Sequence, residues 1–87
     1  MIKGQITLIS NSYLVVENKN WGQIVYVLNP EQFAFGQKIV LYICQYQNKK
    51  YGFKTLRQKK LFNMFLYEKQ IAIDIALTLV KYDFLKS

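Results

Sequence analysis

A small, mainly β barrel followed by helices is the fold class that this chain predicts, and three observations carry it. Five short stretches of alternating or β-branched sequence fill residues 2–53, turn signals separate each from the next, and helix formers take over after Lys54. Five strands are too few for a sandwich and suit a sheet closed on itself. At 87 residues the chain is one domain with a helical appendage, and a chain of that size buries only about 60 to 65% of its unfolded surface. The expected division is a five-stranded barrel over 1–54 and a segment of two short helices over 55–87.

The first strand runs from Ile2 to Ile9, with Ile2, Ile6 and Leu8 separated by Lys3, Gln5 and Thr7. Gly4, isolated in that pattern, predicts a bulge or a sharp bend. Tyr13 to Glu17 forms the second strand, and Asn18-Lys19-Asn20-Trp21-Gly22 is a hairpin loop whose Asn and Gly tolerate positive φ. The third strand, Gln23 to Leu28, sets Ile24, Tyr26 and Leu28 against Val25 and Val27, and Asn29-Pro30 ends it. Glu31 to Gly36 is a loop or a single helical turn carrying Phe33 and Phe35.

The fourth strand, Lys38 to Tyr46, alternates Ile39, Leu41 and Ile43 with Val40, Tyr42 and Cys44. A basic turn, Asn48-Lys49-Lys50, leads to the short strand Tyr51-Gly52-Phe53. Thr55 and Gln58 have capping-box spacing, so a helix starts there, with Leu61, Phe62, Phe65 and Leu66 as its apolar stripe. The segment from Ile71 to Val80 carries two periods at once. Ile71, Ile73, Ile75, Leu77 and Leu79 alternate like a strand, whereas Ala72, Ala76 and Val80 recur every four residues. Two alanines and a length near ten residues favour a helix, with a frayed tail from Lys81 to Ser87.

Charge is concentrated as well as abundant. The formal charge is +7, and between Glu31 and Glu68 there is no acidic residue, while Lys38, Lys49, Lys50, Lys54, Arg57, Lys59 and Lys60 all fall inside that window. Such a chain attracts a polyanion, either nucleic acid or an anionic membrane surface; a merely solubilising charge is the plain alternative. The 52% hydrophobic content, with seven Tyr and six Phe, exceeds what a lone small core absorbs and favours self-association or a neighbouring domain.

Several chemistries are disfavoured. There is no histidine and one cysteine, which removes the disulfide framework and the usual zinc ligand sets. Cys44 alternates with apolar residues and reads as a small buried hydrophobe. The carboxylates Glu17, Glu31, Glu68, Asp74 and Asp83 lie in different segments, so no catalytic set, metal site or cofactor is expected. No signal peptide is read at the N-terminus, and Ile71 to Val80 is about half the span of a bilayer. A cytoplasmic protein that neither crosses nor binds a membrane is expected.

Binding is better supported than catalysis. Tyr46, Lys49, Lys50, Tyr51, Phe53, Lys54 and Arg57 interleave cations with rings, which is the composition of a nucleic-acid surface: cations neutralise phosphates and rings stack on bases. The competing reading is that Tyr51 or Phe53 belongs to the core.

The residues also resemble a family. Met1-Ile2-Lys3-Gly4-Gln5-Ile6, Leu14-Val15-Val16-Glu17 before Trp21-Gly22, Val27-Leu28-Asn29-Pro30, and Tyr51-Gly52-Phe53 followed by Thr55, Gln58 and Leu61-Phe62 look like the N-terminal domain of RuvA. RuvA is the Holliday-junction-binding protein of bacteria. Ile75-Ala76-Leu77-Thr78-Leu79-Val80 resembles the helix leaving that family's first helix-hairpin-helix. The resemblance implies an OB-fold barrel followed by helices, with no enzymatic activity of its own. It further implies a tetramer on a four-way DNA junction in recombination and repair. A RuvB-type ATPase is an implied partner only if a C-terminal domain exists beyond this chain.

Two departures from the family pattern bear on mechanism. The family's hairpin Gly-x-Gly, whose amides hold a phosphate, corresponds here to Gln70, Ile71 and Ala72, with Asp74 near the lysine position. Without glycine the hairpin is not expected to reach positive φ, and Asp74 repels a phosphate. The family's acidic pin, which parts DNA strands at the crossover, corresponds to Gln47-Asn48-Lys49-Lys50, of opposite sign. Lys49, Lys50, Lys54 and Arg57, with Lys69 and the Gln70 to Ala72 backbone, are the expected DNA contacts. An assembly module and a generic single-strand-binding OB domain are the alternative functions.

Overall fold

The structure, a computed structural model, describes residues 1–28 and 30–86, with the backbone alone for 84–86. Five strands, β1 (Ile2–Ile9), β2 (Leu14–Asn18), β3 (Gly22–Tyr26), β4 (Lys38–Tyr46) and β5 (Lys49–Phe53), close into a barrel in the order β1-β2-β3-β5-β4. Neighbouring strands are antiparallel except β3 and β5, which meet in parallel at Val25 and Tyr51. This is the OB-fold arrangement.

Strand alternation fills the barrel as the sequence requires. Ile6, Leu14, Val16, Ile24, Tyr26, Leu28, Ile39 and Leu41 are all buried. Leu28 keeps the inward phase although β3 ends at Tyr26, two residues before the expected end. The expected stop at Asn29 lies outside the described residues, and Pro30–Gln32 forms a single 3-10 turn. Just beyond it, Phe33 meets Tyr26 edge-on with ring centroids 5.6 Å apart.

Two glycine expectations change. Gly4 is not the bulge; the β1–β2 register shifts between Ile6 and Leu8 instead. Gly4 is needed for close approach, because a Cβ there would lie 2.5 Å from Val16 Cγ1 and 2.8 Å from the Glu17 carbonyl oxygen. In the β2–β3 loop Gly22 alone takes positive φ, while Asn18 acts through its side chain, whose Oδ1 accepts the amides of Asn20 and Trp21 at 2.8 and 2.9 Å.

The alternation of β4 breaks near its end, and the helices explain why. Ile39 and Leu41 are buried, yet so is Cys44, of opposite parity. Its ladder partner Tyr51 faces the same way. That outer face is covered by α1 (Leu56–Asn63): Phe62 packs 5.4 Å from the Tyr51 ring and 5.0 Å from the Phe53 ring. Cys44 Sγ sits 3.7 Å from Asn63 Oδ1. The barrel therefore carries a second apolar layer outside its wall, and truncating Phe62 to Ala is expected to cost about 3–5 kcal/mol.

The helix start is as expected. Thr55 Oγ1 accepts the Gln58 amide at 3.2 Å, and Gln58 Oε1 accepts the amides of Thr55 and Lys54, each at 3.2 Å. The ambiguous segment resolves as helix α2 (Ile73–Lys86), with Ala76 and Val80 buried one turn apart. The alternating set loses because alternation in a helix scatters side chains: Ile75 and Leu79 are exposed while Leu77 is half-buried. The tail expected to fray continues the helix through Lys86; Ser87 lies outside the described residues. Among the described residues no helix is long and apolar enough to cross a membrane.

Candidate nucleic-acid interface

The basic stretch is a strand where a turn was expected. The hairpin between β4 and β5 is the two-residue turn Gln47-Asn48, both with positive φ (49° and 67°), and Lys49 and Lys50 already belong to β5. The ladder pairs Lys49 with Tyr46 and Lys50 with Gln45. Paired side chains share a sheet face. Lys49, which is exposed, therefore emerges beside Tyr46 on the side of the helices, and Lys50, half-buried, on the other.

Tyr46 ties this end of the barrel to the inter-helical turn. Its ring meets that of Tyr67 at 5.5 Å and 68°, and Tyr67 Oη donates to the Gln45 carbonyl at 3.3 Å. Tyr67 belongs to a π-helical turn, Met64–Glu68, that continues α1 and closes with the Lys69 amide donating to the Met64 carbonyl at 3.0 Å. Lys69, Gln70 and Ala72 follow directly. The docked turn brings them to the same end as Lys49, and Tyr46, Tyr67, Gln70 and Ala72 share the lining of one groove.

Gln70 overturns one expectation. Although it is not glycine, it takes φ of +54°, and the Ile71 amide donates to the Phe65 carbonyl at 2.9 Å. The left-handed turn survives the substitution at a cost of about 1 kcal/mol. Asp74 follows at the start of α2. Its carboxylate stands in the first turn of α2 and accepts the Ile75 amide at 2.9 Å, so this helix N-terminus is already served by an internal anion.

Lys54 follows the far end of β5, about 17 Å along the strand direction from Lys49, and Arg57 lies in the first turn of α1. Both have intramolecular partners: Lys54 Nζ sits 5.7 Å from the Phe33 ring centroid, and Arg57 pairs with Asp83 at 3.1 Å. The pair is exposed on the Arg57 side and contributes at most about 1 kcal/mol.

The interleaved rings divide between packing and surface. Tyr51 and Phe53 are both buried beneath Phe62, so neither is available to stack on a base. Burial raises the Tyr51 phenol pKa, and it raises that of the Cys44 thiol against the opposing pull of Lys59. Cys44 is thus a packing residue. The ring that sequence reasoning missed is Tyr67, 54% exposed. Its signal was its place just off the stripe of Leu61, Phe62, Phe65 and Leu66, where a solvated helix face ordinarily carries a polar residue.

A closed barrel in OB-fold order, a capped helix packed on its outer wall and a groove between Tyr46 and the inter-helical turn define an OB-fold module with a helical appendage. No family model matches the chain. Individual relatives do. The Holliday junction branch migration complex subunit RuvA of Streptococcus uberis is 34% identical over 88 residues, covering 94% of this chain and 45% of the relative. That of Malacoplasma penetrans is 34% identical over 91 residues, covering 94% and 42%, and that of Mycoplasmopsis synoviae 30% over 63 residues, covering 68% and 32%. In sequence and fold the chain fits the N-terminal OB-fold domain of RuvA, and it spans less than half the length of these relatives.

Proposed function

We propose that this chain is a non-enzymatic, RuvA-like DNA-binding module that engages Holliday junctions or other branched DNA in recombination and repair. The observation that carries the reading is the Tyr46–Tyr67 contact, which sets Lys49 of the barrel beside the Lys69–Ala72 turn of the helical segment. Lys49 and Lys69 neutralise phosphates of one backbone, Lys50 reaches from the other side of β5, and the left-handed turn at Gln70 presents backbone beside Ala72. Lys54 and Arg57 extend the track towards a flanking arm with lower weight, since each has an internal partner.

On this reading residues 1–54 and 55–87 act as one binding unit, and assembly as a homo-oligomer, a tetramer by resemblance, surrounds the junction. A RuvB-type ATPase joins only through a C-terminal domain outside the present sequence. The test is a competition gel shift of four-way junction, duplex and single strand at two salt concentrations, with wild type and a Lys49→Glu/Lys50→Glu variant. The variant is expected to bind all three more weakly, with the slope of log affinity against log salt reduced by about 1 for each phosphate that is no longer neutralised. Wild-type affinity and slope in the variant refute the assignment.

A further inference from the structure

We infer that Tyr67 is a stacking platform for an unpaired nucleobase, so that the groove beside it takes a single-stranded or extruded nucleotide rather than intact duplex; this rests on the DNA-binding reading above. Tyr67 is unusual among the aromatic residues near the groove in being both fixed and open. Tyr46 contacts its ring, its hydroxyl donates to the Gln45 carbonyl at 3.3 Å, and it is still 54% exposed. A ring held at its edge and its tip needs no ordering when a base arrives, and a base stacks on any open π face without sequence preference.

The surroundings suit one nucleotide and disfavour a helix. Tyr67 lies two residues before Lys69, and its contact partner Tyr46 is the ladder partner of Lys49, so one cation is near it along the chain and another across the sheet from its partner. Beside the ring, the groove is bounded by Gln70, whose amide can pair with a base edge, and by Ala72, which is small enough to leave the floor open. Base pairs in an intact duplex offer no free face to such a ring. Packing alone gives a weaker account, because the apolar contacts of this turn are already made by Leu66, which is buried.

The test uses a single strand of about 12 nucleotides carrying one 2-aminopurine, within the usual site size of an OB module, and the blunt duplex of the same sequence. Wild type is expected to quench the 2-aminopurine of the single strand. Tyr67→Leu, which keeps apolar bulk but removes the ring, is expected to lose the quench and about tenfold in single-strand affinity, with a much smaller loss for duplex. Tyr67→Phe, which keeps the ring and the Tyr46 contact but loses the bond to the Gln45 carbonyl, is expected to keep the quench with a much smaller loss of affinity than Tyr67→Leu. Three results overturn the inference: no quench with wild type, Tyr67→Leu binding the single strand at full affinity, or Tyr67→Leu losing single strand and duplex alike. If Lys49→Glu still weakens both ligands in those cases, the DNA-binding reading stands alone; if wild type binds neither, both fall.

Discussion

Replacing Gly52 by Ala tests whether β5, and the lysines it carries, are placed by packing inside the barrel. A Cβ at Gly52 would lie 2.5 Å from Leu41 Cδ1, 3.1 Å from Ile24 Cγ2 and 3.3 Å from Leu41 Cβ. Leu41 is 1% exposed and Ile24 fully buried, so the methyl in the way has little room to swing. Overpacking of this kind costs about 1–3 kcal/mol, partly offset by the 0.4–1 kcal/mol or so that alanine gains by restricting the unfolded chain. A net loss of about 1.5 kcal/mol corresponds to a melting temperature lower by roughly 8 °C, given an unfolding entropy near 0.18 kcal/mol/K for 87 residues. Thermal melts followed by circular dichroism read this directly. A cycle with Leu41→Ala sharpens it: the double variant should be more stable than the sum of the singles by about 1 kcal/mol or more, because the new methyl occupies vacated space. Gly4→Ala offers the contrast, since the Glu17 carbonyl oxygen at 2.8 Å is backbone and no single truncation removes it. An unchanged or raised melting temperature for Gly52→Ala, or strict additivity with Leu41→Ala, refutes the packing argument.

Three other outcomes are expected. Gln58→Leu should destabilise by about 2 kcal/mol and Thr55→Ala by about 1, since the first strands the amides of Lys54 and Thr55 and the second removes one cap acceptor; denaturant titration ranks them. Gln70→Gly should stabilise by about 0.5–1 kcal/mol in the same assay, because φ of +54° strains a side chain and not glycine. Alkali should destabilise the protein through Tyr26, whose pKa burial, helped by Glu31, pushes up to about 12 from an ordinary 10. Its neutral form is favoured in the folded state, so that contribution is complete below pH 10 and lost between about pH 10 and 12; it amounts to at most about 3 kcal/mol. In Tyr26→Phe, stability measured against pH should decline less over that window.

The barrel was legible because its wall needs one apolar residue in two, and Ile6, Val16, Ile24 and Leu41 obey that rule within single strands. The helix start was legible for a similar reason: Thr55 and Gln58 satisfy one another across three residues. What escaped depends on contacts between distant segments. Tyr51 and Phe53 could be assigned to the core only with Phe62 in view; Cys44, expected to be buried, could be seen as covered from outside the barrel wall only with Asn63 beside it. Likewise, whether Lys49 sits in a turn or a strand is decided by its pairing with Tyr46, since a two-residue turn and a four-residue turn leave similar sequence. The pairing of Arg57 with Asp83 spans 26 residues and two helices, and no local pattern announces it.

The site departs from the RuvA pattern in sign more than in shape. Gln70 keeps the left-handed turn that glycine would supply, so the path of the backbone between α1 and α2 is preserved. Asp74, however, places a full negative charge where the helix N-terminus offers roughly half a positive one, and its carboxylate already holds the Ile75 amide. Backbone amides at that turn therefore attract a phosphate weakly, and in the proposed reading the burden shifts to the side chains of Lys69 and Lys49. Point charges on flexible stems bind through counterion release and tolerate varied geometry, whereas oriented amides demand one phosphate position. By the resemblance, the same shift operates at the start of β5, where Lys49 and Lys50 stand in place of the family's acidic pin. On the proposed reading, such a module draws DNA backbones towards the lysines instead of prising them apart, so holding a branched substrate, rather than driving strand separation, is the mechanism that reading implies.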